Sequence, residues 1–170
     1  MALSTYTELK SAIANWLNRS DLTTEISDDF IKLVESEYNA KLRIKAMLNS
    51  KTDYSITAET VAVPTGFLQV RDFYISSGAE KYSLTYMAPT QMDQVKGGST
   101  SGRPTVYTIL GDNFRFAPSP DATYTATLNY YKAIDALSGS TATNYILTNH
   151  PGVYLYGSLY HAANFLGGIE

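Results

Sequence analysis

The stretch from Gly102 to Tyr131, GRPTVYTILGDNFRFAPSPDATYTATLNYY, carries the clearest structural signal in this chain and decides its fold class. Gly111-Asp112 stands between two alternating apolar runs, the signature of a two-residue β-hairpin turn. With the turn there, Ile109 faces Phe114 and Tyr107 faces Phe116 on one side, and Thr108 pairs with Arg115 on the other. The register is self-consistent, because a slip of one residue would send every apolar side chain to the opposite face. Pro118-Ser119-Pro120-Asp121 makes a second, stiffer turn. A third strand then sets Tyr124, Ala126, Leu128 and Tyr130 against Thr125, Thr127, Asn129 and Tyr131. The pattern predicts three consecutive strands in an antiparallel meander with one face covered.

Weaker strands precede this block. Tyr54/Ile56 and Val61/Val63 alternate up to a Pro64-Thr65-Gly66 turn. In Phe67–Ser76 the apolar face switches from Leu68/Val70 to Phe73/Ile75, which a one-residue bulge near Arg71-Asp72 explains. Tyr82, Leu84 and Tyr86 alternate with Ser83 and Thr85 as one half-buried strand. Pro89 opens a short helical turn. Residues 96–103, KGGSTSGR, read as a flexible linker, lacking both the P-loop ending and dinucleotide-fingerprint spacing.

Helices flank the β region. Thr5 and Glu8 form a capping box that opens a helix to about Asn18, with Leu9, Ile13, Trp16 and Leu17 as one apolar stripe. That spacing places Trp16 in the core. A second helix is expected from about Ser27, with Asp28 and Asp29 in its first turn and Ile26 and Ile31 as a hydrophobic staple. Phe30, Ile31, Val34, Tyr38 and Leu42 continue its apolar face, and Lys41, Arg43 and Lys45 crowd the end where the helix dipole favours cations. Residues 132–147 are a connection of low complexity around Ser138-Gly139-Ser140. The last helix starts at Thr148-Asn149-His150-Pro151. Val153, Leu155, Tyr156, Leu159, Ala162, Ala163 and Leu166 nearly encircle it, leaving Ser158, His161 and Asn164 as a narrow polar stripe. A helix so apolar is expected to be largely buried, packed on the two N-terminal helices. The resulting fold class is α+β, a helical bundle from both chain ends with an inserted antiparallel β-sheet or sandwich. The expected divisions are 1–50, N-terminal helices; 51–135, inserted β domain; 136–170, connection and C-terminal helix.

Composition excludes several functions. The 170 residues contain 44% hydrophobic side chains, enough for a core. A net charge of −3 argues against a dedicated nucleic-acid binder, which would carry a basic stripe. Without cysteine there is neither a disulfide framework nor a thiolate metal site. No secretory signal and no bilayer-length apolar run is visible, so the expectation is a soluble, intracellular chain. Residues 1–50 hold 13 of the 29 charged side chains, and residues 104–170 hold six. Twelve of the 14 tyrosines fall at or after Tyr54. Tyrosine combines large apolar area with one polar tip, which suits surfaces buried against a partner.

No catalytic constellation stands out. His150 and His161 are eleven residues apart with no ligand pattern beside them, and no Gly-x-Ser-x-Gly elbow is present. The carboxylates of the β region, Asp53, Glu59, Asp72, Glu80, Asp93, Asp112 and Asp121, sit mainly in or near turns. The expectation is a non-enzyme without cofactor or metal. A carbohydrate- or ligand-binding β module is the alternative, and a hydrolase with a scattered carboxylate pair a weaker third.

Four stretches in order, YTELKSAIANWLNRSDL, FLQVRDFYI, GRPTVYTILGDNFRFAPSPDATY and LTNHPGVYLYGSLYHAANFL, resemble the tailed-bacteriophage head-to-tail adaptor (connector) family. The likeness spans nearly the whole chain and rests on order and spacing rather than on a chemical motif. It implies a structural virion protein at the head–tail junction, assembled in the host cytoplasm. It implies a homo-oligomeric ring, twelve copies in that family, that docks under the portal protein. The ring extends the channel to a downstream tail or nozzle protein, and double-stranded DNA passes through without specific binding. In similar adaptors the chain continues past the equivalent of Gly167-Gly168, so no portal-contacting residue is carried over. For the subunit interface, the sequence offers Tyr124, Tyr130 and Tyr131, with Arg103 and Arg115.

Overall fold

The computed structural model describes residues 3–96 and 101–167, with the backbone alone at 95 and 96. Half of the expected 96–103 linker, residues 97–100, lies outside the described residues. The protein is α+β and divides into two compact units, one formed by the chain up to Ala46 and from Ala133 onward, the other by Met47–Lys132.

The helical unit begins with α1, Tyr6–Leu17, which opens on the capping box expected of Thr5 and Glu8. The Thr5 hydroxyl accepts from the Glu8 N–H at 3.3 Å, and the Glu8 carboxylate accepts from the Thr5 N–H at 3.0 Å. Asn18 closes the helix in the left-handed region, at φ 52°, where asparagine is tolerated. The second helix starts earlier than Ser27. Helical turns begin at Thr23, and Glu25–Phe30 is π-helical before α2, Ile31–Lys41. The Ser27 hydroxyl donates back to the Thr23 and Thr24 carbonyls, so it is an interior residue and not a cap. The Ile31 N–H bonds to the Ile26 carbonyl, five residues back. The extra residue in that turn brings Ile26, Phe30, Ile31 and Val34 to one buried face, where an unbroken 3.6-residue period would spread them. At the far end, Arg43 donates to the Asn39 and Leu42 carbonyls, as expected for a cation at a helix C-terminus.

Ala133–Asn144 is irregular but holds its place: Leu137 is buried and the Ile134 N–H donates to the Asn39 side chain. A short helix missed by the sequence reading, α4, Tyr145–Asn149, is capped by Asn144. Then α5, Pro151–Phe165, starts with Pro151 in its first turn, as expected. It packs against α1, α2 and the π-helical turn, so the core of this unit draws on both ends of the chain.

The expected burial of α5 holds at Leu155 and Ala162 and fails at Ser158, Val153 and Tyr156. Tyr154, Leu155, Ser158 and Ala162 face the core, with Ser158 fully buried. Val153, Tyr156 and Tyr160 face outward. Close approach to α2 explains the choice. A Cβ on Gly157 would stand 3.0 Å from Val34 Cγ2 and 3.3 Å from the Tyr38 hydroxyl, so small residues set the contact line where hydropathy alone would set large ones. Gly157→Leu is accordingly expected to destabilise the helical unit by about 1–3 kcal/mol, the usual range for overpacking, in urea titrations read at Trp16.

In the other unit, two four-stranded sheets cover one core. The strands are β1 Leu48–Ile56, β2 Thr60–Ala62, β3 Phe67–Ser77, β4 Glu80–Ser83, β5 Thr85–Tyr86, β6 Val106–Leu110, β7 Asn113–Ala117 and β8 Tyr124–Lys132. One sheet runs β1-β8-β3-β4 and is antiparallel; the other runs β2-β7-β6-β5, with β5 and β6 parallel. The hairpin register is as expected: Ile109 opposes Phe114, Tyr107 opposes Phe116 and Thr108 opposes Arg115. The bulge falls between Val70 and Asp72, as the switch of faces required.

The three-stranded meander does not form. β8 leaves β7 and pairs between β1 and β3 in the opposite sheet. Pro118 and Pro120 offer no N–H to a ladder, so the chain after Ala117 breaks off and crosses the core. The Tyr82–Tyr86 strand is likewise two strands in different sheets. Leu84 is buried at the crossover, its N–H bonded to the Phe73 carbonyl. Both changes come from pairing with distant strands, which period-two alternation does not encode. The helix α3, Pro89–Lys96, packs on β6 and β7, and its Met92 is fully buried.

Candidate interaction surface

The five interface residues proposed from sequence all lie in the β unit, but they are not equivalent there. Tyr130 is buried in the core beside the Phe67 ring and presents no surface. Arg115 is committed within the chain: its guanidinium donates to Glu59 at 2.9 Å and to Asp93 at 2.7 Å, tying β7 to α3 and to the loop before β2. The Ser119 hydroxyl donates to the second Glu59 oxygen at 3.1 Å. These hydrogen bonds raise the Arg115 pKa further and spend its fork geometry internally. Arg103 is exposed, stacked 3.6 Å above the Tyr82 ring. Tyr124 donates to Asp121 at 2.6 Å and Tyr131 is half-buried opposite Leu48 and Gln69. Arg103, Tyr124 and Tyr131 retain surface a partner can reach, and Arg115, though partly exposed, has its guanidinium engaged within the chain.

The large exposed apolar side chains lie mainly elsewhere. Trp16, Leu33, Tyr145, Val153, Tyr156, Tyr160, Phe165 and Leu166 are in the helical unit, against Tyr86 and Leu110 in the β unit. Trp16, expected in the core, is 60% exposed. Its direction on α1 matches Leu9, but at the last turn it meets Tyr156, itself 63% exposed, in an edge-to-face contact at 5.8 Å. Trp16, Val153, Tyr156 and Tyr160 are the aromatic and apolar residues of one exposed ridge. Helical geometry puts the three α5 members within an arc of about 60°. From Pro151 to Phe165 the helix has no Asp, Glu, Lys or Arg.

A second feature lies where α5 meets the π-helical turn and α2. Asp28, Asp29, Phe30, Lys32, Leu33, His161, Asn164 and Phe165 line an open groove of about 540 Å³. Phe165 rests edge-on against Phe30 at 5.6 Å, yet stays 58% exposed, and Leu33 is 48% exposed. Phe165 projects roughly 150° around the helix from the ridge. The groove therefore has an apolar floor and a charged rim on which Asp28 and Asp29 outnumber Lys32. Asp28 holds Lys32 at 2.9 Å, and His161 Nε2 stands 3.1 Å from Glu37.

Inside the same unit, Glu35 is a buried carboxylate. The Leu137 N–H donates to it at 2.8 Å and the Tyr154 hydroxyl at 3.1 Å, while Asn144 donates to the Tyr154 oxygen at 2.7 Å. Burial pushes the Glu35 carboxyl above the ordinary range, opposed by those two donors. This network fastens the irregular connection to α2, an architectural role. Among the described residues no cluster of three or more His, Asp or Glu side chains has metal-binding geometry. The carboxylates that do converge, Glu59 and Asp93, both serve Arg115. No helix of the described residues is long and apolar enough to cross a membrane.

An α+β chain whose largest exposed features are uncharged aromatic side chains on helices is equipped for contacts with other proteins. Its sequence matches the model of the SU10 adaptor protein family over residues 4–169, and the chain belongs to that family of phage head-to-tail adaptors. The family is structural, and its members are virion components. No curated protein sequence matches the chain closely enough to add to this.

Proposed function

We propose that this protein is the ring-forming adaptor of a phage head–tail junction, docking under the portal and extending the DNA channel towards the tail. The family match over residues 4–169 carries the reading. The exposed ridge and groove of the helical unit support it, because unpaired apolar surface of this size on one chain is costly unless neighbours cover it. On this reading both chain ends form the bundle that builds the ring, with the β unit, Met47–Lys132, inserted between them. Arg103, Tyr124 and Tyr131 are secondary contacts from the β unit.

Channel function sets an electrostatic requirement. Twelve copies at −3 each would carry −36 (12 × −3). A lumen without a basic stripe releases few counterions from DNA and lets the duplex slide. Negative-stain microscopy of the protein mixed with the portal of its own phage is the test. Rings seated coaxially on the portal are expected, together with no retention of double-stranded DNA by the isolated protein. Absence of rings with the portal, or tight salt-sensitive DNA binding, would overturn the proposal.

A further inference from the structure

We propose that copies of this chain associate head to tail through the helical unit, the Trp16/Val153/Tyr156/Tyr160 ridge of one copy seating in the Leu33–Phe165 groove of the next. The inference rests on the ring reading and names the surfaces that build the ring.

Three observations choose a second copy as the occupant. First, the two features are complementary in form: one is a projecting row of side chains and the other an open groove of about 540 Å³ floored by Phe30, Leu33 and Phe165. Second, they are complementary in polarity. The Tyr156 and Tyr160 hydroxyls are donors on a helix without a carboxylate, while Asp28 and Asp29 on the groove rim are acceptors. A carboxylate accepting from phenol makes a charge-assisted hydrogen bond, and a ridge without acidic residues brings no repulsion to that rim. Third, ridge and groove are different surfaces of the unit: the ridge runs where α5 meets α1 and the groove where α5 meets the π-helical turn and α2, so a two-fold contact that pairs either feature with itself leaves the other uncovered. A contact between two faces that do not meet in one shared interface is heterologous. Repeated, it closes into a ring or runs on as a filament. An unrelated partner covering the ridge would leave the groove open.

The contact is built from aromatic anchors, the residue class that dominates interface energetics. Each pairwise contact is modest, three aromatic side chains already partly buried in their own unit, so closure of the ring supplies much of the cooperativity.

Two variants test the pairing. Tyr156→Asp spoils the ridge and leaves the groove; Leu33→Asp spoils the groove and leaves the ridge. Both positions are exposed, so circular dichroism and melting temperature should match the parent protein. In sedimentation velocity, each variant alone is expected to be monomeric, with self-association weakened about 30-fold or more. An equimolar mixture should stop at a heterodimer containing one of each, because only one good ridge and one good groove remain to meet. A parent-sized assembly formed by either variant would overturn the inference while leaving the ring reading intact. Variants that stay monomeric in the mixture at the highest concentration used would do the same. A parent protein that never assembles, alone or with the portal, would remove both.

Discussion

Phe114→Ala is expected to destabilise the β unit by about 3–5 kcal/mol, the usual cost of deleting a fully buried aromatic ring. Phe114 lies on β7 at the point where the two sheets meet. Its ring stands within 5.2–6.3 Å of the rings of Phe73, Phe67, Tyr107, Tyr54 and Phe116. Phe67 and Phe73 belong to one sheet and Tyr107 and Phe116 to the other, so a single truncation loosens both layers. These aromatic rings pack closely, and the hole left behind is bounded by rigid groups that collapse poorly. A loss of that size is a large fraction of the net stability of a small domain. The sole tryptophan, Trp16, belongs to the helical unit, so its fluorescence follows that unit, and the near-ultraviolet circular dichroism change that occurs apart from it reports the tyrosines of the β unit. Its transition should move to markedly lower denaturant. A midpoint shift corresponding to under 1 kcal/mol would contradict the placement of Phe114 at the centre of that core.

Glu35→Ala is the second large effect, expected at about 2–3 kcal/mol in the helical unit. It strands the Leu137 N–H and the Tyr154 hydroxyl without their acceptor, and unsatisfied buried donors are expensive. Glu35→Gln separates hydrogen bonding from charge. Its side-chain carbonyl still accepts from Leu137, but no carboxylate is ionised in the core. Burial raises the Glu35 pKa in the folded state, so the folded protein binds that proton more readily than the unfolded chain. The stabilisation associated with the shift is complete below the unfolded carboxyl value and is lost as pH rises through the folded one. Stability of Glu35→Gln relative to the parent should therefore improve from about pH 4 to pH 7. A constant difference between the two proteins over that range would show that the carboxyl does not titrate differently on folding.

Local geometry was legible in the sequence; distant pairing was not. The Gly111-Asp112 hairpin could be read residue by residue, because a two-residue turn and a side-chain period of two together leave a single register. The Thr5–Glu8 cap and the Val70/Asp72 bulge were legible for the same reason: each is fixed by residues within a few positions. The partners of β8 lie far along the chain, 55 residues (128 − 73) from Phe73 to Leu128 and 83 residues (131 − 48) from Leu48 to Tyr131, and nothing in its alternation names them. The π-helical turn at Glu25–Phe30 inserts one residue into a helical period and moved the start of the second helix four positions from where capping chemistry placed it.

The candidate surface was the harder part to read. On α5 apolar residues occur all round the helix, so hydropathy cannot say which side is buried, and the polar stripe is split: Ser158 is buried and Asn164 exposed. Gly157, Ser158 and Ala162 were the usable signal: small residues at helical spacing mark where another helix comes close. With that stripe turned inward, Tyr156 and Tyr160 must turn outward, and the best interaction surface moves from the strands to the helices. Trp16 follows from the same rotation, since its neighbour across the contact is Tyr156.

On the proposed function, the exposed aromatic surface of the helical unit is covered by copies of the same chain. The mass of the purified protein under native spray conditions, over a range of concentrations and with the matching portal present or absent, tests it most directly. A discrete closed multimer of the 18.7 kDa chain is the predicted result. A monomer at every concentration, with portal and without, would contradict it.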